Sequence, residues 1–375
     1  MDKISSILHD IEKITQNPHE IINKYLKDEG KKAIGCFLEY CPEELVYAAD
    51  MLPVGLWGGD VELSLVKKYI PSFFCAPVQQ TFELAMSGKY DYLSGVIVPM
   101  LCDTMKTAGQ NWKVAIPEIE FIPLVYPQNR KIEAGIDFLL SEYKEVKNKL
   151  EKICNSCITE EALIRSINIY NEYRKVMREF TNIAQKHLNI ITPKIRHSIF
   201  EASNYMDKKI YTNIINTLVN ELKKIPEASC SGKKVILTGI LLNSKGVLEA
   251  LEENKLTVVS DDLAQETRQI RTDVPKDGVS AMGRLTNRWR DMECCSLLLD
   301  PDKKRSDMLA DSAKKSADGV IVCMTSFCDP EEYDYPILKK NFEEKSIPHV
   351  YIEINDQSSV EQVRTRVQAF AEMID

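Results

Sequence analysis

Apolar residues fall along this chain in two alternating regimes with a helical stretch between them. In the first, short apolar runs are separated by amphipathic segments. "AIGCF" (33–37), "LPVGLWGG" (52–59), residues 95–100 at the start of "VIVPMLCDTMKT" (96–107) and just before it, and "IEFIPLVYP" (119–127) read as buried strands. Between them, "CPEELVYAADM" and residues 77–87 have helical spacing, and Gly88 closes the second. Pro42 stands near the first turn of the former, with Glu43 and Glu44 at its positive end. Strands alternating with helices over this length predict a parallel, doubly wound sheet.

From Asn129 to about Pro226 the period changes. The stretches 133–152, 160–188 and 206–224 keep helical periodicity with few breakers. Alternation then returns, with strands at 233–240, 256–262, 319–324 and 348–354. Helices are expected at 244–254, 305–316, 336–345 and 358–374. The predicted fold is α/β: two doubly wound, mostly parallel, Rossmann- or flavodoxin-like lobes at 1–128 and 229–375. A helical connecting segment at 129–228 joins them. The opening "MDKISSILHDIEKITQNPHE" reads as one amphipathic helix rather than a secretory signal.

Length and composition agree with this picture: 375 residues suit roughly two domains. A net charge of −8 argues against a nucleic-acid partner, which needs a basic face. No apolar run is long enough for a transmembrane helix, so no membrane partner is expected and the location is read as cytoplasmic. Eleven cysteines are many for such a compartment, where disulfides are rare. They serve either as buried filler or as metal ligands.

Ligands of open α/β sheets gather beyond the carboxyl ends of the strands. That rule sorts the cysteines. Cys36 and Cys323 lie inside strands and belong to the core. Cys102 and Cys328 each follow a strand, precede an aspartate (Asp103, Asp329) and stand at a probable helix start. Cys75, in "PSFFCAPVQQTFE", stands at another. Helix N-termini favour the thiolate. Asp103 and Asp329 read as helix caps. Three thiols converging between two lobes could hold a [4Fe–4S] cluster with one iron free of cysteine, although packing is the commoner role for any one of them. Zinc-finger ligands come in local pairs, and these do not. The Cys154–Cys157 pair lies in the helical segment with no strand leading into it. Cys294 and Cys295 adjoin and default to packing, and the role of Cys41 stays open. No histidine shows metal spacing. There is no P-loop, no Gly-x-Gly-x-x-Gly and no nucleophile elbow.

Residues 40–59, 73–107, 235–242 and 326–355 together resemble the 2-hydroxyacyl-CoA dehydratase and benzoyl-CoA reductase family. The shared marks are a Pro-Glu-Glu helix, Cys-Asp-Thr after a strand and Phe-Cys-Asp-Pro after a late strand. The resemblance covers nearly the whole chain in order and is nearest to β subunits of dehydratases from amino-acid fermentation in strict anaerobes. It implies one [4Fe–4S] cluster per chain on Cys75, Cys102 and Cys328, with Cys41, Glu43, Asp103 and Asp329 near it. It implies a heterodimer with a homologous α subunit that holds most of the acyl-CoA, and a separate ATP-dependent [4Fe–4S] activator. The implied reaction removes water from an (R)-2-hydroxyacyl-CoA to give an (E)-2-enoyl-CoA through a ketyl radical. Two alternatives remain: the substrate-binding subunit of this family or of a benzoyl-CoA-type reductase, and a metal-free two-lobe ligand trap.

Overall fold

The computed structural model describes residues 2–228, 232–242, 244–299, 302–354 and 360–374. Cys230 lies outside the described residues. The chain opens with α1 (Asp2–Gln16) and α2 (Pro18–Glu29). It continues through β1 (Ala33–Phe37), α3 (Glu43–Ala48), β2 (Leu52–Leu56), α4 (Ala76–Met86), β3 (Leu93–Met100), α5 (Asp103–Ala115) and β4 (Glu120–Val125). Four helices follow: α6 (Glu133–Cys154), α7 (Glu160–Ala184), α8 (Pro193–Ala202) and α9 (Lys208–Leu222). The second alternating half holds β5 (Lys233–Gly239), α10 (Lys245–Glu253), β6 (Leu256–Leu263), α11 (Thr267–Ile270) and α12 (Ala281–Asp291). It closes with α13 (Lys304–Ser316), β7 (Gly319–Thr325), α14 (Asp329–Glu344), β8 (His349–Ile354) and α15 (Val360–Met373).

Both sheets are parallel and share one strand order, β2-β1-β3-β4 and β6-β5-β7-β8. The winding direction reverses between β1 and β3 in one lobe and between β5 and β7 in the other, which is where such sheets open a crevice. Residues of β1, β2 and β7 are buried throughout, because helices cover both faces.

The helices between the sheets tie the molecule together. α7 packs on α3 and α12, α6 on β4 and α12, and α8 on α1 and α10. The lobes also share a core: Ile240, Leu241, Ala264 and Cys328 belong to the same buried cluster as Phe74, Cys75, Val98 and Met105. No described helix is long and apolar enough to cross a membrane.

Several expectations needed correction. The N-terminal segment is two helices, broken at Asn17 ahead of Pro18, since proline is tolerated only in a first turn. The helix expected at 336–345 begins at Asp329 and runs through Pro336. A proline there removes one backbone bond and reads as a start when it is not one. α8 and α12 were not expected. α12 has three arginines and only a narrow apolar stripe.

Candidate metal centre

The two switch points face each other. One pocket, with about 510 Å³ of space counting the open solvent at its mouth, is lined by Cys75, Cys102 and Cys328, together with Glu39, Leu297 and Thr325 among others. Cys102 follows β3, Cys328 follows β7, and Cys75 ends the long connection after β2. Strand-end logic and family resemblance therefore pick three residues that the fold brings to one place.

Each of the three is the N-cap residue of its helix: Cys75 of α4, Cys102 of α5, Cys328 of α14. Capped and uncapped helix starts both occur elsewhere in the fold, and Asn17 and Ser244 also form no side-chain cap bond. α7, α8, α9 and α12 begin on Thr159, Thr192, Asp207 and Ser280, whose side-chain oxygens accept capping hydrogen bonds. The cysteines close no such bond. A good cap is worth about 1 kcal/mol, so three helices give up stability where their thiols face the pocket. Asp103 and Asp329, expected as caps, are instead the first helical residues. Asp103 is exposed and pairs with Lys106 at 3.2 Å, while Asp329 lines the pocket.

Helix starts were expected to lower the thiol pKa, but burial wins. Cys75 is pushed up to about 12, by burial first and then by the neighbouring Cys102. Burial pushes Cys102 up to about 11, with the N–H of Met105 pulling the other way. Burial, and then Cys75, raise the Cys328 thiol as well. The N–H groups of Val78 and Glu331 likewise pull down on Cys75 and Cys328 without offsetting burial. Binding of a metal by thiols releases their protons.

A buried acid that the sequence reading overlooked also lines the pocket. Glu39 follows β1, is 3 % exposed, and its Oε1 has no hydrogen-bond partner. Burial pushes its carboxyl up to about 7, with Arg268 and Arg305 partly offsetting and Glu331 adding to the rise. Its neighbours Leu38 and Tyr40 both adopt left-handed backbone, at φ 57° and 65°, and Phe327 before Cys328 does the same at 61°. Such conformations cost about 1–2 kcal/mol each for L-residues. They persist because packing holds them: the Tyr126 hydroxyl donates to the Tyr40 carbonyl, and the Tyr40 ring meets Trp289 edge-on at 5.5 Å.

Beneath the pocket runs a buried ionic network. Arg305 meets Asp262 at 2.9 Å, Glu331 at 2.8 Å and Asp334 at 2.7 Å. Arg268 meets Asp262 at 3.0 Å and Glu331 at 2.9 Å. Glu331 stands three residues after Cys328, so this network fixes the first turn of α14.

The remaining cysteines lie elsewhere. Cys36 and Cys323 are core residues, as expected. Cys295 is buried against Arg268 at 3.6 Å, and Cys157 is exposed. Cys41 and Glu43 do not reach the three-cysteine pocket. They line a second, polar pocket, where the Cys41 thiol lies 3.5 Å from the Ile97 carbonyl. Glu43 accepts from the Tyr170 hydroxyl at 2.9 Å and pairs with Lys208 at 3.3 Å.

Among the described residues, no three His, Cys, Asp or Glu side chains could close on a single metal ion. A cluster makes a different demand, since each cysteine of a cubane binds a different iron. The donor set fits that demand. Three soft sulfurs and two partnerless buried oxygens, Glu39 Oε1 and Thr325 Oγ1, surround space that no protein atom fills.

Taken together, these features define a two-lobed α/β protein with a thiol-lined pocket where its two switch points meet. The profile of the HGD-D family, 2-hydroxyglutaryl-CoA dehydratase, D-component, matches residues 39–374, and the chain belongs to that family. It is 47% identical to the (R)-phenyllactyl-CoA dehydratase beta subunit of Clostridium sporogenes over the full length of both chains. Identity to the lactoyl-CoA dehydratase subunit beta of Anaerotignum propionicum is 41%, again over both full lengths. The (R)-2-hydroxyglutaryl-CoA dehydratase subunit beta of Acidaminococcus fermentans is 39% identical over 99% of this chain and all of its own.

Proposed function

We propose that this chain is the β subunit of an (R)-2-hydroxyacyl-CoA dehydratase, and that Cys75, Cys102 and Cys328 hold one [4Fe–4S] cluster in it. The observation that carries this reading is the convergence of three N-cap cysteines on one pocket, in a chain whose full-length relatives are dehydratase beta subunits. When bound, the cluster would supply storage and transfer of a single electron at low potential. The protein does the rest. The N–H groups of Val78, Met105 and Glu331 favour charge on the three sulfurs. Burial of Cys75 and Cys328 keeps water from their side of the site.

Phe327, 51 % exposed, lines the pocket beside Cys328, and Phe73, 63 % exposed, stands two residues before Cys75. Exposed aromatics there suit a subunit interface. The homologous α subunit would dock there and hold most of the acyl-CoA, and the β subunit would relay the electron. A separate ATP-hydrolysing iron–sulfur activator would deliver that electron, consistent with a sequence that has no P-loop. The electron is needed because the β proton of a 2-hydroxyacyl thioester is hardly acidic; a ketyl radical on the substrate overcomes what acid–base tuning cannot. The reaction belongs to amino-acid fermentation in the cytoplasm, with a 2-hydroxy acid from leucine as one candidate.

The test is anaerobic purification, with and without the partner subunit, followed by iron and acid-labile sulfide analysis. About four irons per chain are expected. Serine at Cys75, Cys102 or Cys328 should lose iron and activity together. Full iron retention in one variant removes that cysteine from the set, and a folded wild type without iron in either preparation ends the proposal.

A further inference from the structure

Three protein ligands leave one iron of a [4Fe–4S] cluster to be satisfied, and the pocket contains a group suited to it. We propose that the carboxylate of Glu39 binds the fourth iron. This inference rests on the cluster reading above and goes beyond it.

Four observations carry the proposal. The first is position. In the sheet order, β1 lies between β2 and β3, the strands whose following loops lead to Cys75 and Cys102. Glu39 stands just past the end of β1, and Cys328 enters from the opposite lobe. The carboxylate thus comes from the strand end flanked by those of two cysteines, and it lines their pocket.

The second is an unmet need. Glu39 is 3 % exposed, yet its Oε1 has no hydrogen-bond partner. A buried carboxylate oxygen left unsatisfied is costly, and native proteins rarely tolerate one without a use.

The third removes the plain structural explanation. Arg268 is the cation with the strongest pull on Glu39. A guanidinium has five N–H donors. Those of Arg268 go to Asp262 twice, Glu331, Cys295 and Ser296. None is left for Glu39, so a salt bridge with Arg268 is not the reason for burying this acid.

The fourth is preparation of the backbone. Left-handed Leu38 and Tyr40 flank Glu39, so the turn that presents it is held against its own preference. Iron takes a carboxylate ligand in two-histidine, one-carboxylate sites, and a ligand fixed in this way needs little ordering when metal arrives.

The experiment uses the chain loaded anaerobically with iron and sulfide, in wild-type form and as Glu39→Gln. Iron content is measured first. The reduced cluster is then examined in deuterated water by electron–nuclear double resonance, and its irons by Mössbauer spectroscopy. If Glu39 is the ligand, the wild type has no strongly coupled exchangeable deuteron, and one iron has a distinct quadrupole doublet. Glu39→Gln then keeps its sulfide and most of its iron, gains a strongly coupled deuteron as water takes the vacant place, and shifts that doublet. A strongly coupled deuteron in the wild type overturns the proposal, as does an unchanged Mössbauer spectrum in Glu39→Gln. Both results leave the three-cysteine cluster standing. A wild type that takes up no iron overturns the cluster reading and this inference with it. The wild-type measurement decides even if the variant does not fold.

Discussion

Replacing Arg305 with methionine should reveal how firmly the floor of the cysteine pocket is held. Arg305 is 2 % exposed. Its Nε donates to Asp262 at 2.9 Å, one terminal nitrogen to Glu331 at 2.8 Å and to Thr238 at 3.0 Å, and the other to Asp334 at 2.7 Å. Methionine keeps much of the volume and removes the charge. Removing one member of a buried ion pair costs about 3–5 kcal/mol, because the partner stays behind unpaired. Here each buried partner keeps company: Asp262 retains Arg268 and Arg271, and Glu331 retains Arg268 and Ser296. Asp334 is a third exposed and adds little. The expected loss is therefore at the low end, about 3 kcal/mol.

Urea unfolding of the wild type and Arg305→Met near neutral pH, followed by far-ultraviolet circular dichroism, measures the loss through the midpoint at constant slope. The sign of the pH dependence is fixed. Burial opposes the charge on both Asp262 and Glu331, but the arginines hold both carboxyls below their ordinary values. A depressed carboxylate pKa contributes stability that is complete above the unfolded value and is lost as pH falls through the folded one. The gap between the two proteins should be full above about pH 4.5 and narrow on acidification. A gap under about 1 kcal/mol that ignores pH would mean a solvated network and would refute the reasoning.

Two further perturbations test the frame around the site. Burial pulls the His197 pKa down, but the hydrogen bond that its Nδ1 donates to Glu266 at 3.0 Å outweighs it and the net shift is upward. That stabilisation is complete below pH 6.5 and is lost as pH rises through the folded pKa, so His197→Gln should flatten the fall in denaturant midpoint above pH 6.5; an unchanged slope counts against the pair. Gly239 ends β5 at φ 150°, and a Cβ there would lie 2.2 Å from the Cys323 carbonyl oxygen of β7. Gly239→Ala should cost more than about 1 kcal/mol in a melting experiment, and no loss would mean that the two strands part freely.

Most of the architecture was legible because parallel strands covered on both faces are uninterrupted apolar runs, and all eight could be located from them. Helices were harder. α12, "AMGRLTNRWRD", uses its arginines to bond backbone carbonyls: Arg284 reaches that of Pro275, and Arg288 those of Thr272 and Gln269. Those bonds are tertiary and leave no periodic trace. The three pocket cysteines were legible because strand ends converge by topology. Glu39 stands at a strand end too, and the same rule applied to acids would have found it. In "LEYCPEE", however, it competes with Cys41, Glu43 and Glu44.

What the sequence determined by itself is the parallel two-sheet plan and the three thiols at helix starts, since both follow from local pattern and strand polarity. What only the tertiary structure decided is direction. Left-handed turns at Leu38 and Tyr40 leave Glu39 in the cysteine pocket, while Cys41 and Glu43 line another. Likewise, Asp262, Arg268, Arg305 and Glu331, unremarkable apart, become one buried network once β6, α11, α13 and α14 meet. Side-chain chemistry can be read along a chain, but which groups share a low-dielectric space depends on contacts that only the fold creates.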